Sequence, residues 1–398
     1  MKFYCFHFLP YAAADLGRLA RGQKSMWMLY PHDYFDADAC HALYARYLDE
    51  LALADEMGFD GVCLNEHHQT PHSLMAAPNV IAGALTQRVK RGKILILGRA
   101  LPLVGNPVSI AEEFAILDNM SGGRLVTGFV RGIGVEYHAS GINPAHSLER
   151  FREAHDIILR AWTEREPFAY EGRHYRLYHV NIFPRPYQKP HPPVWIPSTG
   201  SKETLEWAAH PDRRYTYLQF FNAPYEGVKA TLLDYRATAR RFGYEATSDQ
   251  LGWAVPTYVA ETDAIARREA APHLDALFNK FMALSPEMLF PPGYMSLDAM
   301  KKTLARKKVG NAAKPTANID QVIEQGIAMV GSPATVRARI EQAKAEIGLG
   351  HLLPMLHFGT LPVDLTRKNI EMFAHEVMRP LRRQAEAAPR QPTVFAAR

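Results

Sequence analysis

GRALPLVGNPVSIAEEFAILDNMSGGRLVTGFVRG, residues 98–132, decides the fold. Ser109–Met120 at its centre has the spacing of a helix, and Gly122-Gly123 turns the chain out of it. KILILGRA (93–100) before it and RLVTGFVRG (124–132) after it are apolar runs of strand length. Strand, loop, helix, turn and strand make one β/α repeat, whose parallel strands send their C-terminal ends to one face. Gly98-Arg99 and Arg131-Gly132 stand at those ends. GVCLNEHH (61–68), one strand earlier, brings Glu66, His67 and His68 to the same face. Parallel β/α folds keep ligands and chemistry there.

The alternation continues in both directions. Strands are expected at 2–9, 61–68, 93–100, 124–132, 193–200, 215–220, 253–260 and 351–359. Helices are expected at 40–57, 79–89, 109–120, 148–164, 201–209 and 226–242, at a helix begun by Ser332-Pro333, and at 367–381. Eight strands with short connections close most economically into an α/β fold, the (β/α)8 TIM barrel with insertions, spanning 1–383. An open doubly wound sheet would share the pattern. Pro256 blurs the limits of the seventh strand. Outside the alternation lie a long first loop (10–39), a surface hairpin (166–193) and an insertion at 284–318. That insertion, which carries a basic run from Lys301 to Lys308, reads as a lid. Phe278, Phe281, Met282, Met288, Leu289, Phe290 and Tyr294 near it read as packing rather than as a pocket. The tail, 384–398, reads as mobile.

Composition removes several function classes. A net charge of +5 is spread without a basic stripe, which speaks against nucleic-acid binding. Cys5, Cys40 and Cys63 are few, odd in number and without metal spacing, as expected of a reducing, cytoplasmic setting. The N-terminal KFYCFHFLP has one basic residue and an apolar run broken by His7 and Pro10, so it reads as a buried strand rather than a signal peptide. No run of about 18 apolar residues suggests a membrane span.

Three places could carry chemistry. On a strand Glu66, His67 and His68 alternate in direction and do not converge as metal ligands would, so no metal site is expected. His67 is then either part of a packed strand end or an acid–base imidazole, and the residues alone do not choose. Arg131 can pair with a phosphate through two N–H groups, or with a neighbouring carboxylate. Ser198-Thr199-Gly200-Ser201 precedes a helix and suits either a plain N-cap or an anion. Together with Arg131 on the same face, the phosphate reading moves ahead. Gly98-Arg99 suits a tight strand-to-helix turn.

In this order, EHH, the block NPVSIAEEFAILDNMSGGRLVTGFVRG, PVWIPSTGSKETLEWAA and VGSPATVRARI resemble the bacterial luciferase-like flavin-dependent monooxygenases, in their long, limonene-monooxygenase-like branch. The resemblance covers about residues 2 to 380. It implies a (β/α)8 barrel that binds reduced FMN (FMNH2) at the C-terminal face. His67 would support the oxygenated flavin. Gly98-Arg99 would fall at a non-proline cis peptide against the flavin ring. Arg131, Ser198, Thr199, Gly200 and Ser201 would hold the phosphate, and Glu66 would anchor its strand end.

The implied activity is that of the oxygenase component of a two-component system. A separate NAD(P)H:flavin reductase would supply reduced flavin, since RGIGVEY is no dinucleotide fingerprint. Dioxygen would give a peroxyflavin that oxygenates a small organic substrate. Such proteins are expected as homodimers or higher homo-oligomers. Two alternatives share the resemblance: a deazaflavin-dependent hydride-transfer enzyme, and a non-catalytic flavin-binding barrel subunit.

Overall fold

The computed structural model describes residues 1–17, 25–221, 223–284, 286–295 and 317–387. Lys301–Lys308 and most of the expected tail lie outside the described residues.

Eight parallel strands close a barrel: β1 (Lys2–Phe6), β2 (Gly61–Leu64), β3 (Lys93–Ala100), β4 (Leu125–Val130), β7 (Val194–Ser198), β8 (Thr216–Gln219), β9 (Leu251–Val259) and β11 (His351–Met355). Pairing runs in that order, and β11 returns to β1. The strands are apolar on both faces because both are covered. Leu95 and Leu97 of β3 join the inner cluster with Phe6 and Cys63, while Ile94 and Ile96 pack outward against the helices. β5 (Phe168–Glu171) and β6 (Arg176–Val180) form the expected antiparallel hairpin between β4 and β7.

Helices α1 (Ala37–Glu56), α2 (Pro78–Arg88), α3 (Pro107–Met120), α4 (Gly134–Ser140), α5 (Ser147–Thr163), α6 (Lys202–Ala208), α7 (Tyr225–Arg241) and α8 (Asp263–Asp275) occupy most of the connections. The Asn106 side chain caps α3 by accepting the Val108 N–H at 3.0 Å, with Pro107 in the first turn. Gly122 and Gly123, at φ 61° and 78°, then turn the chain into β4.

β9 runs unbroken through Pro256 to Val259. Up to Pro256 it pairs with β11; from Thr257 onward it pairs with the short strand β10 (Met329–Gly331). The proline sits at the handover between partners, where a missing N–H does least harm. Neither β10 nor α8 is among the elements expected from the sequence. The C-terminal helix Arg379–Ala387 extends to residue 387, four residues into the stretch expected as tail.

After α8 a π-helical turn (Ala276–Phe281) leads to the lid segment, whose described part runs to residue 295. The first loop grips this turn from 250 residues away. The Trp27 indole N–H donates to the Phe281 carbonyl at 2.5 Å, and Ser25 Oγ donates to the Ala283 carbonyl at 2.8 Å. Among the described residues, no helix is long and apolar enough to cross a membrane.

Candidate active site

A cavity of about 430 Å³ opens at the C-terminal ends of the barrel strands. That size suits a small-molecule or cofactor site. Phe8 after β1, His67 after β2, Leu97 and Gly98 on β3, Arg131 after β4, Ser198 on β7 and Phe220 after β8 all reach it. Six strand ends thus converge on one space, as the parallel arrangement requires.

His67 lies on the cavity wall. Its Nδ1 is 3.1 Å from Oε1 of Glu136, and Oε2 of the same carboxylate accepts the Ile133 N–H at 3.0 Å. A carboxylate only accepts, so Nδ1 carries the proton and the lone pair falls on Nε2. The Trp27 ring stands edge-on to His67 at 4.9 Å. Glu136 opens α4 two residues after the RGIG turn. A carboxylate at a helix start beside a strand end is the signal that could have found it.

Glu66 also lines the cavity, while His68 does not reach it. Glu66 Oε2 accepts from Arg99 Nη1 at 2.7 Å and from the Ala100 N–H at 3.3 Å, and Oε1 meets His68 Nε2 at 2.9 Å. The hydrogen bond to Glu66 raises the His68 pKa above its ordinary value. Glu66 therefore ties the ends of β2 and β3 together. Arg99 is held behind the wall by that ion pair, while Gly98 faces the cavity. The non-proline cis peptide is Leu97–Gly98, one bond earlier than the Gly98-Arg99 bond expected. Gly98 lies against the backbone of Gly128 on β4. A Cβ on Gly98 would come within 2.6 Å of the Gly128 carbonyl, so neither strand tolerates a side chain at this crossing.

Arg131 has no carboxylate partner among the described residues. Its Nη2 donates to Ser147 Oγ and to the Tyr294 carbonyl, both at 2.8 Å, and its guanidinium lies 4.8 Å from the Tyr294 ring. Tyr294 Oη in turn donates to the Gly132 carbonyl at 2.6 Å. A cation on the wall with neutral partners suits an anion. Ser198, Thr199 and Ser201 line the same cavity. Gly200 between them turns the chain at φ 96°, and Ser201 caps α6 through the Thr204 N–H at 3.5 Å.

Residues of the described part of the insertion, together with Met282 before it, join the wall. Met282, Leu289, Phe290 and Tyr294 line the cavity, contrary to the packing role expected of them. Phe281 is buried beneath in a separate cluster, and Phe278 packs on Phe221. Gly134 lets the lid approach: a Cβ there would collide with Pro291 and the Leu289 carbonyl. His72, which the motifs did not single out, also lines the cavity, stacked on Trp27 at 5.2 Å. Burial holds its pKa well below the ordinary imidazole value. Among the described residues, two clusters bring three possible metal ligands together, His7–Glu50–His357 and His146–Glu149–His174, and neither touches the cavity. The His7 and His357 rings stack within 10° of parallel at 4.6 Å, so no ion can lie in both ring planes.

A closed parallel barrel with a cofactor-sized cavity at its C-terminal face has the architecture of β/α-barrel enzymes. Within that class the model of the luciferase-like monooxygenase family matches residues 28–351, and the chain belongs to that family. An uncharacterized Sinorhizobium fredii protein, y4wF, is 29% identical over 87% of this chain and 95% of its own length. An F420-dependent glucose-6-phosphate dehydrogenase of Microbacterium testaceum is 36% identical, over 39% of this chain and 48% of its own. The alkanal monooxygenase alpha chain of Photorhabdus luminescens is 28% identical, over 48% and 52%. The chain thus spans about half the length of these two named relatives. Among solved structures, the monooxygenase RslO1 of Streptomyces bottropensis superposes with TM-score 0.72 at 24% identity, over 96% of this chain and 100% of that one. The FMN-bound oxygenating constituent of 3,6-diketocamphane monooxygenase from Pseudomonas putida does so with TM-score 0.70 at 18% identity, over 95% and 98%. At those identities the likeness shows the fold. The family is one of flavin- or F420-dependent oxidoreductases.

Proposed function

We propose that this chain is the oxygenase component of a two-component flavin monooxygenase, fed with reduced FMN by a separate NAD(P)H:flavin reductase. The observation that carries the reading is His67 on the wall of a lid-covered, largely apolar cavity, with its tautomer set by Glu136. Arg131, whose partners are uncharged, fits the phosphate end of FMN, with Ser198, Thr199 and Ser201 beside it. Gly98 lines the cavity without a side chain, which leaves room for the ring beside β3.

When bound, reduced FMN supplies the electrons that activate dioxygen for transfer to a small organic substrate. The protein's part is positional and protic. Nε2 of His67 accepts or returns a proton at the reacting end, while Glu136 keeps Nδ1 protonated and the ring fixed. Leu289, Phe290, Tyr294, Met282 and Trp27 exclude water, which would otherwise divert the reaction to hydrogen peroxide. A deazaflavin-dependent hydride transfer is the second reading, favoured by the 36% identical F420-dependent relative.

The test is a titration with anaerobically reduced FMN and with reduced F420, followed by admission of oxygen. Tight binding of reduced FMN, and a return of the oxidised flavin spectrum slower than in buffer, would support the oxygenase. Binding of F420 alone would move the assignment to hydride transfer. Binding of FMN with no effect on its reoxidation would point to a carrier subunit.

A further inference from the structure

The cavity contains a polar group with no work to do in the protein itself. Asn65 is 3% exposed, and among the described residues neither Oδ1 nor Nδ2 has a hydrogen-bond partner. Asn369, equally buried, shows how such a side chain is normally used. Its Oδ1 accepts the Val259 N–H at 2.9 Å, and its Nδ2 donates to the carbonyls of Thr257 at 2.8 Å and Leu356 at 2.9 Å. A buried carboxamide left unpaired is costly, and natural interiors rarely keep one without a purpose.

Its place in the fold supplies the purpose. Asn65 follows β2, where Cys63 faces the inner cluster and Leu64 the outer one. Alternation returns Asn65 to the inward register, and it lines the cavity. The same cavity is lined by the rings of Phe8, Trp27 and His72, with Phe8 4.9 Å and Trp27 5.2 Å from His72. Aromatic rings suit a planar ligand but answer none of its polar edge. A carboxamide offers a donor and an acceptor side by side. The group that satisfies both at once is a ring edge carrying an N–H next to a carbonyl.

We propose that Asn65 reads the amide- or imide-type edge of a planar ligand in this cavity, Nδ2 donating to the ring carbonyl and Oδ1 accepting the ring N–H. Two sources carry that chemistry: the pyrimidine edge of a flavin or deazaflavin, or an organic substrate with a cyclic amide or imide. The first source rests on the flavin reading above; the second does not.

The experiment compares FMN with FMN methylated at N3, which lacks the N–H, by fluorescence titration of the wild type, Asn65→Leu and Asn65→Asp. If the flavin edge is read, the wild type binds FMN about tenfold tighter than the methylated form. Asn65→Leu loses that difference, and Asn65→Asp, which keeps an acceptor, retains part of it. The wild-type comparison stands even if the leucine variant fails to fold.

In the second arm, uracil and 1,3-dimethyluracil are compared by thermal shift, with FMN when it binds and without it otherwise. Stabilisation of the wild type by uracil alone, absent from Asn65→Leu, assigns the edge to a substrate. Wild-type protein that binds FMN but discriminates in neither arm overturns the proposal. Protein that binds neither FMN nor anaerobically reduced FMN overturns the flavin reading, and the uracil arm then decides Asn65 independently.

Discussion

Nδ1 of His67 lies 3.1 Å from Oε1 of Glu136, so two residues 69 positions apart form one hydrogen-bonded pair at the mouth of the barrel. His67→Ala should keep FMN affinity within about threefold while coupled product falls by about a hundredfold, the lower end of general acid–base effects. The lost turnover should reappear as hydrogen peroxide. Glu136→Gln can present its amide to Nδ1 and so stabilise the wrong tautomer; it should give an intermediate loss. Unchanged coupling in His67→Ala, measured as product formed per reduced flavin consumed, would remove the histidine from the mechanism.

Tyr294→Phe removes the hydrogen bond to the Gly132 carbonyl but leaves a ring beside Arg131. The latch should weaken by about 1 kcal/mol, roughly a fivefold faster release of bound flavin. Thermal stability should hardly change, because the lid is a small part of the core. Stopped-flow release of FMN checks the rate, and a melting curve checks the control.

Gly128→Ala should cost about 3 kcal/mol or more, since its Cβ would meet the Ile96 carbonyl at 2.6 Å and the Leu97 Cα at 2.9 Å. Both obstacles are backbone and cannot rotate away. Gly105→Ala is the control, with nothing within 4 Å of the added carbon, and should stay within about 0.5 kcal/mol of the parent. Urea unfolding of the two variants separates a real crossing constraint from general glycine sensitivity.

The protein should lose stability as the pH falls below about 6.5. Burial lowers the pKa of His7, His72, His155, His273 and His357, and holds His351 at about 4. Each is neutral when folded and takes up a proton when unfolded, so the unfolded state binds more protons and acid favours it. His68, raised by Glu66, acts in the opposite sense: its contribution is complete below its unfolded pKa and fades as pH rises through the folded value. With six groups against one, the melting temperature should fall steadily from pH 7 to pH 5. A flat profile across that interval would mean that these imidazoles are solvated.

Much of this was legible in the sequence, and for a physical reason. Barrel strands are apolar on both faces, so KILILGRA and PVWIPS announce themselves without alternation. The pairing of Glu66 with Arg99 was also within reach, because EHH and GRA end neighbouring strands in register, Leu64 beside Ile96. Other features depended on contacts no local pattern encodes. MVG is too short a strand to stand out, and exists because β9 has edges to share beyond Pro256. Met282, Leu289, Phe290 and Tyr294 looked like packing because an apolar side chain reads alike whether it faces a core or a cavity. Asn65 sat inside a quoted motif, yet its missing partners are visible only once its neighbours are in place.

Trp27 and Ser25 hold the chain at Phe281 and Ala283, so the opening loop is tied directly to the start of the insertion at 284–318. The two segments are therefore one module for the engineer. A lid borrowed from a related barrel would arrive without the tryptophan that seats it, whereas loop and lid exchanged together could carry a new substrate range onto the same eight strands.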